Sequence, residues 1–331
     1  MKSCAVAITA AEHAELVDVA SPQPLGSNEI RGSTLCTLVS PGTELACNYR
    51  GGRFPSFPGY AAVFKAEETG AEVENIREGD VCFCMGPHRS FQQVDASAAH
   101  PLPGGLEPEK AVLARLMGVS MTTLMTTVAR PGDVVLVTGA GPVGFLAARM
   151  FVLSGYEVFV VEPDDARRRM AEQSGLPHVF PKVPAEDAAI RGSVALVVEC
   201  SGHEQAALDG CRVVRKRGEV VLVGVPWRRQ TDVWAHEMLS LVFHNYVVLR
   251  SGWEWELPRQ STEFSPHSIH GGFDTALRWL AEGHIDSENL TTRVDPYKAQ
   301  DAYQDLLHRR APGLFTVFDW TRMARDEKKT G

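Results

Sequence analysis

Apolar and polar positions change their rhythm twice along this chain. Up to about residue 105 the apolar residues come in short runs, several alternating with polar ones and separated by Gly, Pro, Asn and Asp. Ala5–Ile8, Glu29–Val39, Ala61–Lys65, Val81–Phe83 and Phe91–Val94 read as strands between turns. An irregular antiparallel β domain is expected there. Glu109–Thr127 then shows helical spacing with little Gly or Pro. From Gly132 onward, apolar runs of strand length alternate with amphipathic stretches. The strands are Val134–Thr138, Glu157–Val161, Val194–Glu199, Val220–Val225 and Val247–Leu249, and the helices are Val143–Leu153, Asp165–Gln173, Glu204–Val213 and Ala235–Phe243. Such alternation predicts a parallel sheet covered by helices on both faces. After Gly252 come a polar stretch, a helix at Phe273–Glu282, the segment Ile285–Thr292, a helix at Lys298–Leu307 and a last strand, Leu314–Asp319. The charged tail Thr321–Gly331 reads as loose. Because the αβ block lies in the middle, the two ends are expected to pack as one split domain, 1–106 with 253–331, around a second domain at 107–252. The expected fold class is α/β, a β domain plus an inserted doubly wound parallel sheet.

Length and charge narrow the function. A chain of 331 residues is long enough for two domains with cores of their own. A net charge of −8 disfavours nucleic acid and anionic membranes as partners, though a local pocket can still take a small anion. No apolar run approaches a membrane span, and the N-terminal Ala5–Ile8 run soon meets Glu12 and Glu15, which fits a first strand better than a signal peptide. Seven scattered cysteines suggest free thiols in a reducing compartment, the cytoplasm. Cys82 and Cys84 share a strand face, but two thiols make a poor metal site.

The most specific chemistry is in the middle block. Gly139, Gly141 and Gly144 stand in Gly-x-Gly-x-x-Gly spacing between an apolar strand and a helix. The first allows a tight turn, the second lets a pyrophosphate approach the backbone, and the third lets helix and strand pack closely. Helix-start N–H groups near Pro142 and Val143 would face the phosphates. Glu162 ends the next strand, where a carboxylate can accept from both ribose hydroxyls and repels a 2′-phosphate. NAD is therefore expected over NADP. Arg167 heads three successive arginines and could cover the adenine; one of them could instead serve NADP. Cys200, Ser201, Gly224 and Val225 sit at the carboxyl ends of later strands, where such sheets bind ligands, and are expected beside the nicotinamide.

With these motifs the chain resembles the medium-chain dehydrogenase/reductase family of zinc-type alcohol dehydrogenases. The resemblance covers nearly the whole chain. It is carried by Val-Ser-Pro-Gly-Thr-Glu at 39–44, Phe-Pro-Gly-Tyr at 57–60, Gly-Asp-Val at 79–81, the cofactor turn, and Gly-His-Ile-Asp-Ser-Glu-Asn-Leu-Thr-Thr-Arg at 283–293 followed by Ala302-Tyr303. It implies a GroES-like catalytic domain, a Rossmann domain, an active site in the cleft between them, and a homodimer through the Rossmann domain. The departures matter as much. Where zinc-bearing members place their ligands this chain has Pro41, Tyr60 and, by alignment, Arg115, and there is no room between Asp80 and Phe91 for a structural-zinc lobe. The pattern is similar to a subgroup that includes bacteriochlorophyllide-type and sugar-type dehydrogenases. No zinc is expected, since a metal needs three or four converging ligands.

Without a metal, side chains must handle the proton that accompanies hydride. Thr43 holds the hydroxyl position that touches the substrate oxygen in zinc-bearing relatives. Tyr60 projects where a zinc-binding His would. Glu44 is expected to hold a loop or pair with an arginine, and His88 is read as a loop histidine able to titrate. These four form the candidate catalytic set, each with a structural alternative: turn shaping, core packing or a surface position. Arg115, Trp253 and Trp255 are candidate substrate contacts, Arg115 with a structural ion pair as its alternative, and the tryptophans with Glu254 suiting a sugar, cyclitol or other ring, or else a subunit contact. The expected function is NAD-dependent, zinc-independent hydride transfer between nicotinamide and a small secondary alcohol or ketone. The alternatives are a zinc-free NADPH reductase of quinones or enones, a cofactor-binding protein without turnover, and an epimerase that keeps its NAD.

Overall fold

The computed structural model describes residues 3–188 and 190–321. The chain divides into two compact units, one of Met1–Arg115, Leu277–Gly283 and Ser287–Gly331, the other of Leu116–Ala276 and His284–Asp286.

In the first unit, β1 (Cys4–Ala10) and β2 (His13–Asp18) form their own antiparallel pair. β3 (Glu29–Leu38) buries Ile30, Gly32, Thr34 and Cys36 in alternation, the mark of a strand with one face on a core. A helical turn, α1 (Pro41–Thr43), runs directly into a π-helical segment, Glu44–Tyr49. β4 (Ala62–Thr69), β5 (Val81–Cys84), β6 (Phe91–Asp95), β7 (Ala99–Pro101) and α2 (Pro108–Ala111) follow.

α3 (Ala114–Thr126) leads into the second unit. There β8 (Val134–Thr138), α4 (Pro142–Leu153), β9 (Glu157–Val161), α5 (Asp165–Gln173), β10 (Val179–Phe180), β11 (Val194–Glu199), α6 (Glu204–Val213), β12 (Val214–Leu222), α7 (Ala235–Asn245) and β13 (Val248–Ser251) alternate, followed by α8 (Ile269–Ala281). The six strands are parallel in the order β10-β9-β8-β11-β12-β13. This is the Rossmann order, and the connections change direction between β8 and β11, which marks the carboxyl ends of those strands as the ligand position. β11 is buried along its whole length, as a central strand covered on both faces must be.

The chain then returns to the first unit with β14 (Thr291–Val294), α9 (Ala299–Leu307) and β15 (Phe315–Asp319). β15 pairs antiparallel with β3, so the C-terminal strand completes the N-terminal sheet, ordered β14-β15-β3-β4-β5-β7 with β6 also on β3. A core of Val6, Ile8, Tyr49, Tyr303, Phe318 and Trp320 closes β1 against the returning segment.

Several boundaries differ from the sequence pattern. Residues 107–115 lie with the first unit and 253–276 with the second, whereas the pattern assigns them the other way. Glu109 is ion-paired to Arg293 within the first unit, and the Phe273 ring fills the space over Gly118 within the second. The helix expected over Glu109–Thr127 is broken between Ala111 and Ala114. β12 starts at Val214, not Val220, because Arg217 at φ 64° makes an irregularity that resets its register on β11. Val223–Val225 lie beyond that strand. β2 and β10 were not expected: one alternates weakly and the other has two residues. The Pro-Gly-Thr run read as a turn is instead the start of the helical segment Pro41–Tyr49. Of the tail expected to be loose, all but Thr321 lies outside the described residues.

Candidate active site

The second unit brings its glycine turns to one rim of the sheet. Gly139 leaves β8 with φ +87°, a conformation that an L side chain resists. Gly144 lies so close to it that a Cβ would stand 1.8 Å from the Gly139 carbonyl oxygen and 3.1 Å from the Cys200 Cβ. Gly141 is different. It precedes Pro142 at φ −67° and ψ −179°, and a Cβ there would meet only an Arg167 Nη1, at 3.7 Å. Its outer side is open, as close approach of a pyrophosphate requires, and α4 has no side-chain cap on its first N–H groups. A Cβ on Gly224 would lie 2.3 Å from the Gly202 nitrogen and 2.6 Å from the Cys200 carbonyl carbon, so the turns after β8, β11 and β12 abut one another. Gly139, Gly141, Pro142, Val143, Gly144, Cys200, Ser201, Gly224 and Val225 therefore share one rim of the sheet, and these residues fit a dinucleotide.

Glu162 does not stand open on that rim. It is 5% exposed, and its two oxygens accept from the Ala140 N–H (2.8 Å) and the Asp164 N–H (2.9 Å). The carboxylate that was expected to face ribose also holds the glycine turn. Arg168 is engaged with Asp165 and the Glu162 carbonyl, leaving Arg167 as the arginine bordering Gly141. Sequence reasoning missed Glu199. This buried carboxylate at the end of β11 accepts from the Ser201 N–H (2.7 Å), the Ser201 hydroxyl, the Gly202 N–H and Thr138 Oγ1. Burial pushes its pKa up against the pull of those donors. Burial likewise pushes the Cys200 thiol well up. Trp253 and Trp255 are 67% and 42% exposed, and Arg259 lies 5.5 Å over the Trp255 ring. Glu254, expected to join them on a sugar, is 5% exposed and turned into the second unit, with Thr122 Oγ1 at 3.5 Å from its carbonyl.

The first unit collects the proton-handling candidates around α1. The Tyr60 hydroxyl donates to Ser40 Oγ, with the Thr43 hydroxyl in hydrogen-bonding range as well. The Arg115 guanidinium carbon lies 4.7 Å over the Tyr60 ring centroid. Burial pushes the Tyr60 phenol up, the Ser40 and Thr43 hydroxyls and the Arg115 charge pull it down, and the Glu44 carboxylate raises it. Arg115, expected as a substrate contact, is 5% exposed and lies over the tyrosine face.

Glu44 and His88 correct the sequence reading more sharply. His88 is not a loop side chain open to substrate. It is fully buried, packed edge-on against Phe318 at 5.0 Å, with Nδ1 2.8 Å from Thr37 Oγ1 and Nε2 3.1 Å from Glu44 Oε2. Trp320 Nε1, which can only donate, donates to the same Thr37 oxygen at 3.0 Å. A carboxylate only accepts, so His88 Nε2–H donates to Glu44, while the Thr37 hydroxyl, with one hydrogen and two lone pairs, can serve Nδ1 as donor or acceptor. Glu44 pairs with this histidine and with the Tyr303 hydroxyl (2.6 Å), not with an arginine, and its other oxygen accepts the Ser40 N–H at 2.8 Å. Glu44, held by His88 and Tyr303, thus anchors the residue on which Tyr60 leans. The one sequence signal for this was Ser40 four residues before Glu44 at a helix start, one residue longer than a capping box. Thr37 and Tyr303 gave none, because their partners lie far along the chain. Among the described residues, no group of three or more His, Cys, Asp or Glu side chains could hold a metal.

The comparisons agree with this architecture. The family model for zinc-binding dehydrogenases matches residues 142–254. L-galactonate-5-dehydrogenase of Escherichia coli K12 is 32% identical over 228 residues, which is 66% of this chain and 62% of that enzyme's length. L-threonine 3-dehydrogenase of Pyrococcus abyssi is 28% identical over 340 residues, covering 88% of this chain and 90% of the relative. The crystal structure of galactitol-1-phosphate dehydrogenase from Escherichia coli superposes with a TM-score of 0.81 at 16% identity, covering 96% of this chain and 99% of that one, a likeness of fold. With the glycine turns, the Rossmann order and the split β domain in place, this chain is similar to the zinc-type medium-chain dehydrogenases in sequence and in fold.

Proposed function

We propose that this protein is an NAD-dependent oxidoreductase that interconverts a secondary alcohol and its ketone on a small polyhydroxylated or ring substrate, with Tyr60 in place of a catalytic zinc. The observation that carries the reading is the Tyr60 site: a phenol hydrogen-bonded to Ser40 and covered by a guanidinium, where zinc-bearing relatives hold a ligand. That donor set does not fit a zinc. Proline offers no side-chain ligand, a guanidinium repels a cation, and a phenol held protonated by burial is a poor donor to a metal. When bound, the dinucleotide supplies the hydride donor or acceptor. Gly139, Gly141 and Gly144 shape its phosphate site, and Tyr60 and Thr43 orient the substrate oxygen and carry its proton. The L-galactonate and L-threonine dehydrogenase relatives support a secondary-alcohol carbon as the reacting centre.

A preference for NAD rests on Glu162, which follows β9 and whose two oxygens, each already accepting one backbone N–H, keep a lone pair apiece for a ribose hydroxyl. The unpaired outer edge of β13, beside exposed Leu239, Phe243, Tyr246 and Val248, suits a second copy of the chain, and Phe243→Glu should give a monomer by sedimentation. Free buried thiols suit a reducing compartment, the cytoplasm, and no helix among the described residues is long and apolar enough to cross a membrane.

The test is a screen of polyols, cyclitols and aromatic alcohols for NADH formation, run with a strong chelator present. Activity should persist, and Tyr60→Phe should lower kcat by roughly 100-fold or more, the usual worth of a general acid–base group. Loss of turnover in chelator, restored by zinc, would refute the metal-free reading.

A further inference from the structure

We propose that Arg115 is a positioning residue for proton transfer: stacked on the Tyr60 ring, its guanidinium fixes the phenol and stabilises the phenolate left when the hydroxyl gives up its proton. This rests on the reading of Tyr60 as the proton carrier and says what sets its acidity.

Three observations carry it. Arg115 is 5% exposed while Tyr60 is half-buried, so the cation is better shielded from water than the ring it covers. The guanidinium carbon is 4.7 Å from the ring centroid, within the range where a cation is attracted to an aromatic face, and burial strengthens that attraction. The hydroxyl is held separately by Ser40, with Thr43 beside it, so the phenol is clamped at both its face and its oxygen. Arginine keeps its charge at every pH at which the fold survives, and its plane matches the ring, which a lysine ammonium cannot do.

The charged and titratable neighbours of Tyr60 are few. Burial and the Glu44 carboxylate hold the phenol protonated, whereas the Ser40 and Thr43 hydroxyls and Arg115 favour release. Glu44 itself is held by His88 and Tyr303. At neutral pH Tyr60 therefore stands as an acid. In ketone reduction a bound reduced nicotinamide would supply the hydride to the carbonyl carbon, while the Tyr60 proton goes to the carbonyl oxygen and water returns a proton to the phenolate. Alcohol oxidation is the reverse and needs the phenolate first, so it should rise with pH. A permanent cation on the ring takes over the electrostatic task that a metal performs on the substrate oxygen in a zinc enzyme.

The experiment titrates Tyr60 in the full-length protein without cofactor. Tyrosines are replaced by 3-fluorotyrosine, which brings phenol ionisation into a range where the fold holds, and the Tyr60 fluorine resonance is assigned by its loss in Tyr60→Phe. Arg115→Met should raise the Tyr60 midpoint by about one pH unit or more, as expected for an opposite charge removed from this distance. Arg115→Lys, which keeps the charge and loses the stack, should raise it by a smaller but measurable amount. The pH limb of ketone reduction should move with the midpoint. If Arg115→Met fails to fold by circular dichroism, Arg115→Lys carries the test alone. A midpoint unchanged in the variants that fold overturns the proposal. A shifted midpoint together with full activity in Tyr60→Phe would leave the Arg115–Tyr60 coupling standing and remove Tyr60 from the reaction.

Discussion

Two glycines three residues apart should fail in different ways when replaced by alanine. At Gly144 the new Cβ would lie 1.8 Å from the Gly139 oxygen, 3.0 Å from its carbon and 3.1 Å from Cys200 Cβ. The first two are backbone atoms of β8's turn and the third is the Cβ fixed to the backbone of a neighbouring strand end, and none can swing aside as the far end of a flexible side chain can. Relief needs a displacement of about 1 Å in a close-packed interior, which costs roughly 1–3 kcal/mol. For a chain of this size that is a fall in Tm of roughly 1–4 °C. At Gly141 the backbone is already extended, in a region that alanine occupies freely, and the nearest atom to the new Cβ is an arginine terminus at 3.7 Å. Gly141→Ala should leave Tm unchanged or raise it slightly, because the unfolded chain loses freedom. Its methyl group, however, fills the open side of the turn, where the pyrophosphate must approach. Calorimetric titration with NAD should show affinity falling by about tenfold or more, roughly 1.4 kcal/mol. Thermal unfolding and titration of both variants separate the two roles. Normal NAD binding by Gly141→Ala would refute the assignment of the phosphate site, and an unchanged Tm for Gly144→Ala would refute the packing argument.

Other outcomes follow from the buried groups. His88→Ala should cost about 2–4 kcal/mol in urea unfolding, from the cavity and from Glu44 losing a donor, with kcat changed less than about tenfold; a stable variant with collapsed kcat would return His88 to the reaction centre. Cys47 is exposed whereas Cys4, Cys36, Cys82, Cys84 and Cys211 are buried, with burial pushing Cys82 up to about 12. A thiol reagent should therefore modify one site quickly in the native protein, and Cys47→Ser should abolish that fast phase; a fast phase that persists contradicts the burial. Glu199 has its pKa raised by burial, so in the window between the ordinary carboxylate range and that raised value the unfolded chain has released its proton and the folded one has not. Stability contributed at this site falls as pH rises through that window, and Glu199→Gln should remove the slope; identical pH dependence in both proteins would show that Glu199 titrates normally.

How much could be read without coordinates differed between the two halves of the chain. In the second unit the glycine spacing, the apolar runs and the helices Asp165–Gln173 and Glu204–Val213 were legible, because a parallel strand, its turn and its helix are neighbours in sequence. The pattern gave the cradle residues but not Glu199, whose burial depends on strands joined only across the sheet.

For the first unit, the residues Thr43, Glu44, Tyr60 and His88 stood out in the sequence, and their roles did not. Glu44 gains its partners from Tyr303, 259 positions away, and His88 from Thr37, 51 positions away. Arg115 looked like a substrate contact until the fold laid its guanidinium on Tyr60. Local spacing determines which chemistry a segment can offer, through turn geometry and periodicity. Which groups are desolvated, which are paired, and which keep an open side is decided only when distant strands close over them, because burial and hydrogen-bond partners belong to the packed structure and not to the chain.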